Sequence, residues 1–124
     1  MADTSGRVWR PDAGSAIAAD AAETIARQAS SFLGASVHAE IDGARVGVTR
    51  IMATADGGHV YAGAVVAGPL RAYLATVSGP AGRAVHKYIV SYADVAGAQT
   101  ALDAELVRQE RQGYALIGTV DGEA

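Results

Sequence analysis

Short runs of alternating apolar and polar residues, each closed by a turn signal, fill the middle of this chain from Val37 to Val90. A two-residue period sends successive side chains to opposite faces of a strand, so the pattern demands a sheet with one apolar face. Val37, Ala39 and Ile41 alternate with His38 and Glu40. Asp42-Gly43 then lies between two such runs, a strong hairpin signal. Val46 and Val48 alternate with Arg45 and Thr49, and the parity fails near Arg50-Ile51-Met52, where a bulge or bend is predicted. Asp56-Gly57-Gly58 predicts the next turn and His59 to Ala67 the third strand. Gly68-Pro69 breaks the chain before a fourth strand from Leu70 to Val77. A loop at Ser78-Gly79-Pro80-Ala81-Gly82 precedes a fifth from Ala84 to Val90.

Helical periodicity brackets this region. Ile17, Ala21, Ile25, Ala29 and Phe32 recur at spacings of three and four, predicting a helix from Pro11 to Leu33. Asp12 or Ser15 suits its start and Gly34 its end. A second helix is predicted over Tyr92 to Gln112, with Ser91 and Asp94 as a capping pair and Ala98, Leu102 and Leu106 as its buried stripe. Asp103, Glu105, Arg108, Glu110 and Arg111 fall mainly on its wet side, and Gly113 stops it. Tyr114 to Val120 reads as a last strand. The predicted fold is α+β: an N-terminal helix, an antiparallel five-strand meander, a second helix and a final strand, with both helices on one sheet face. A single domain over residues 1–124 is expected, with 1–11 and 121–124 as flexible tails. Trp9 stands out in the first tail, either as a docking anchor or as an ordinary packed side chain.

The core of such a fold must be thin. Half of the 124 residues are hydrophobic, yet 28 are Ala, against 13 Val, 6 Ile, 6 Leu and 1 Phe. Small side chains at Ala62, Ala64, Ala72, Ala98 and Ala101 let helices approach the sheet closely. The absence of cysteine excludes disulfides, thiolate metal sites and cysteine nucleophiles. No apolar run approaches the roughly 18 residues of a membrane span, and the N-terminus lacks a signal-peptide layout. A soluble, cytoplasmic protein is expected, and the Ala, Gly, Arg and Val bias fits a GC-rich bacterial genome.

Charge is segregated along the chain. Residues 1–43 carry six acids and three bases, residues 44–91 one acid and five bases, and residues 92–124 six acids and two bases. The strands are therefore basic and the helical segments acidic. Such asymmetry either steers an anionic partner to the sheet or pairs internally with the helices.

Alternation within the strands sharpens the first option. His59 with Tyr61, Arg71 with Tyr73, and His86 with Tyr88 each share a strand face, so regular pairing gathers these six side chains on one sheet face. Arg83 extends the set from the adjoining Gly-rich loop, which lacks the Lys-Ser/Thr of a phosphate-binding loop. Tyr and Arg suit a protein interface. They equally suit base stacking and phosphate contact, or simply the wet face of an antiparallel sheet. His38, His59 and His86 show no metal-ligand spacing, and no catalytic motif or cofactor signature appears.

One stretch bears a family likeness. Gly82-Arg83, then Lys87-Tyr88-Ile89, an amphipathic helix, and Arg108-Gln109-Glu110-Arg111-Gln112-Gly113-Tyr114 resemble the second half of WGR domains, over about a quarter of the chain. The chain lacks a Trp before Gly82-Arg83, and its long first helix is foreign to that family. The resemblance implies DNA binding or a part in DNA-damage proteins. Three functions are thus in view. The first is a non-catalytic binding or adaptor domain that docks a protein or a second copy through the Tyr/His/Arg face. The second is a nucleic-acid or anion binder using the basic sheet. The third is a small-molecule binder or enzyme with a pocket between helices and sheet.

Overall fold

The computed structural model describes residues 7–83 and 86–123. Among them the chain forms β1 (Trp9–Pro11), α1 (Ala19–Glu40), β2 (Arg45–Val46), β3 (Thr49–Thr54), β4 (His59–Ala67), β5 (Ala72–Pro80), β6 (His86–Tyr92), α2 (Val95–Arg111) and β7 (Tyr114–Val120). All strands join one antiparallel sheet in the order β1-β7-β3-β4-β5-β6, with β2 also against β4. The α+β class, the antiparallel sheet and the packing of helices against it agree with the sequence reading.

The first predicted strand is the exception. Residues 37–40 continue α1, whose buried stripe runs Ala22, Ala26, Ala29, Leu33, Val37. Val37 is wholly buried, and seating it in the core outweighs the roughly 1 kcal/mol that Gly34 costs within a helix. Asp42-Gly43 therefore turns the chain out of a helix rather than closing a hairpin, with Gly43 at φ 73°. The other end of α1 is also later than predicted. Asp12 accepts a hydrogen bond from Gly14 N (3.1 Å) and Ser15 from Ile17 N (3.2 Å), so both side chains hold turns ahead of the helix.

Neither supposed tail is free among the described residues. Trp9–Pro11 pairs with Gly118–Val120, and the Trp9 ring lies over Gly118, where an added Cβ would collide with it. Trp9 thus has the packed role. Beyond β7, the Asp121 amide donates to Val8 O (3.0 Å) and the Glu123 amide to Val46 O (2.8 Å). The predicted bulge is present at the residues named for it, where β3 and β7 shift register between Ile51 (facing Gly118) and Met52 (facing Leu116), and a second lies just ahead of them against β4. Val46 faces Val66 while Arg50 faces Gly63, four steps against three, with Gly47 N bonded to Val65 O at 2.8 Å.

The two helices take opposite faces of the sheet, where one shared face was expected. Val60, Ala62, Ala64 and Val66 of β4 join the core cluster beneath α1. Gly63, one step out of phase, meets the α2 side chain Leu102, whose Cδ1 stands 2.9 Å from where a Cβ would sit. From the edge strand β6 the chain crosses through α2 to β7, between β1 and β3, and α2 lies over the face that α1 leaves open.

Candidate interaction site

Register decides which predicted residues meet. The four-residue connection Gly68–Arg71 sets Val66 opposite Tyr73 and Tyr61 opposite Ser78. Across the next pair, Ser78 faces His86, Thr76 faces Tyr88 and Leu74 faces Val90. Tyr61, Tyr88, His86 and His59 consequently share the α2 face, whereas Tyr73 projects to the α1 face. The proposed set of six is split by strand parity, which a connection of one residue more or less would have reversed.

On the α1 side, Tyr73 is half-buried against the core. Arg71 is exposed before β5, with its guanidinium 3.5 Å from Ser91 Oγ. Arg83 lies beyond the other end of β5, beside Gln28, Phe32 and Gly82 at a shallow cavity of about 280 Å³. Arg71 and Arg83 therefore stand apart from the tyrosines of the α2 face and from each other.

On the α2 side a groove of about 200 Å³ runs between α2 and β6, lined by Tyr61, Leu74, Tyr88, Val90, Glu105 and Arg108 among others. Tyr61 forms its floor at 6 % exposure, and Tyr88 its outer wall at 71 %. The Tyr61 hydroxyl lies 3.5 Å from Glu105 Oε1, which also accepts from Arg108 Nη2 (2.7 Å) and Gln109 Nε2 (3.5 Å). Burial, with the Glu105 charge behind it, pushes the Tyr61 phenol up to about 12. The ring meets Tyr114 edge-on, centroids 6.2 Å apart. Tyr61 is held neutral and fixed, so it is a positioned floor of the groove rather than a ready proton carrier.

Glu105 and Arg108, expected on the wet side of α2, are the contributors that sequence reasoning missed. Leu102, Glu105 and Gln109 follow one another at three and four residues, so the buried stripe of α2 continues into polar residues. Reading the stripe by apolar residues alone ends it too early. Asp94 caps α2 through Gly97 N at 2.8 Å, so the helix begins later than the Ser91 start.

No group of three or more potential metal-ligating side chains occurs among the described residues. No described helix is long and apolar enough to cross a membrane. Compared with protein families, curated proteins and solved structures, the chain finds no match. The WGR likeness accordingly stays a likeness of local order, a strand, a helix and a strand.

Proposed function

We propose that the protein is a non-catalytic cytoplasmic interaction module that self-associates edge to edge through β6. The observation behind this reading is an asymmetry of sheet edges. At one side, β1 is three residues long and ends in Pro11, the kind of edge that discourages further pairing. At the other, β6 is seven residues long, pairs among the described residues only with β5, and exposes Tyr88 at 71 % and Val90 at 44 %.

Self-pairing suits this strand. An antiparallel two-fold at Ile89 sets Ile89 against its own copy, Tyr88 against Val90, Lys87 against Ser91 and His86 against Tyr92. An aromatic ring meets a β-branched side chain twice, and no two like charges stand opposite. Lys87, the residue that ordinarily blunts an edge, is drawn back to Glu40 at 2.8 Å. The groove beside α2 would then open onto the same interface.

A nucleic-acid surface has less support. Arg71 and Arg83 lie at opposite ends of β5, Lys87 bonds Glu40, and helices occupy both faces.

Tyr88→Glu with Val90→Glu would place two pairs of like charges across the two-fold, at positions exposed in the single chain. Light scattering after size exclusion should report a dimer for the native chain and a monomer for this variant. Tyr88→Lys with Val90→Glu should restore the dimer. A native monomer at all concentrations, or a dimer indifferent to both variants, contradicts the reading.

A further inference from the structure

We propose that a second cavity on the α2 face binds a small monocarboxylate with a short aliphatic chain. This cavity, about 350 Å³, lies where the β2–β3 bulge spreads the sheet beneath the first half of α2. That volume falls within the range of small-molecule sites. Its walls are largely apolar: Val48 from the β2–β3 connection, Val65 from β4, and Val95 and Leu102 from α2. Val48 and Val95 remain 46 % and 52 % exposed, so the walls are incompletely covered by the chain itself.

Two arginines, Arg45 and Arg50, share this lining. Arg45 stands opposite Ala67 and Arg50 opposite Gly63 and Thr119, so no neighbour across the sheet offers either a carboxylate. Neither arginine makes an ion pair among the described residues. The one carboxylate that lines the cavity, Glu123, is already engaged: His38 Nε2 lies 2.8 Å from Oε2, and Val46 N donates to Oε1 at 2.8 Å. Arg50 is half-buried, which raises the cost of leaving its charge unmatched. Arg45 and Arg50 line the same cavity, so an anion bound there is attracted by both charges. A guanidinium binds a carboxylate through paired N–H donors, which is the geometry a planar carboxylate fits. An alkyl chain of a few carbons would cover the valines and Leu102. The charged residues of the lining are Arg45, Arg50 and Glu123, so no further cation calls for a second carboxylate on the ligand.

The site is independent of the β6 edge, and the same titration can be run on the monomeric variant. The probes are hexanoate, hexylamine, hexanol and inorganic phosphate, followed by amide and methyl chemical shifts. Hexanoate should give saturable shifts at Val65, Gln99 and Leu102, with affinity on the order of millimolar. Arg50→Met should weaken it by about tenfold, the scale of a hydrogen bond to a charged group. Arg45→Met, at an exposed position, carries the same test should the Arg50 variant fail to fold. Equal binding of hexylamine or hexanol, phosphate binding as well as hexanoate, hexanoate binding unchanged in both arginine variants, or no saturable shift at all would each overturn the proposal.

Discussion

The two faces of this sheet are built from different materials. Beneath α1, Ala22, Ala26 and Ala29 meet Ala53, Ala62, Ala64 and Ala75, with Leu33 and Val37 filling what remains. Short side chains on both partners bring the helix down onto the strands, and the only buried side-chain polar atom without a hydrogen-bond partner is Ser30 Oγ, among the described residues. Beneath α2, only Ala98 and Leu102 are buried apolar residues of the helix, and the contacts continue through Gln109, Glu105, Tyr61 and Thr76. Two openings flank this second helix. The α1 face is closely packed, with one shallow cavity at its end beside Gln28 and Arg83, while the α2 face keeps Tyr61, Glu105, Arg45 and Arg50 beside its two openings.

Matched truncations test that contrast most strongly. Leu33 and Leu102 are 0 % and 1 % exposed, so burial alone predicts equal effects. Leu33→Ala opens a void in a closely packed layer and should cost about 4 kcal/mol. Leu102→Ala enlarges a cavity that already reaches solvent and should cost about 2 kcal/mol. Urea unfolding of both variants measures the difference, and equal losses would erase the distinction between the faces.

Glu123 gives a smaller effect, with a pH signature. Burial pushes its carboxyl up, but the Val46 amide and the His38 hydrogen bond and charge overcome this and hold it below its ordinary 4.5. A depressed carboxyl contributes stability that is present above its unfolded value and lost as pH falls through the folded one. Glu123→Gln should therefore cost about 1 kcal/mol near neutrality. The gap to the native chain should close as pH drops below 4.5. Thermal melts across that range check the sign.

The smallest effect belongs to the α1 face. Ser30→Ala removes a hydroxyl that has no partner and should raise stability by up to about 1 kcal/mol. A loss on this substitution would mean that the α1 layer is less apolar than described.

Much of this arrangement is legible in the amino-acid sequence. His59–Ala67 is recovered residue for residue, because Gly-rich turns flank a clean alternation. The Ala excess does serve close packing, and α2 with its Gly113 stop falls within a few residues of its predicted place. Val37, Ala39 and Ile41 mislead because their spacing of two also contains Val37 as the fourth residue beyond Leu33, and only the core decides between the periods. The site is harder to read. Each tyrosine's place within its own strand is visible, but whether two strands put their tyrosines on the same face depends on register, and register depends on connection geometry. Tyr61 and Tyr88 meet and Tyr73 does not for that reason alone. Arg45 and Arg50 stand out in the sequence only as part of a basic segment, since the bulge that sets both against α2 is a property of the paired strands.

Hydrogen exchange of the native chain at two protein concentrations tests the central claim most directly. If β6 is the working edge, amides of Tyr88 to Val90 gain protection as concentration rises, while those of β1 and of α1 stay the same. Protection of β6 that is independent of concentration, or gained equally at β1, would contradict the account.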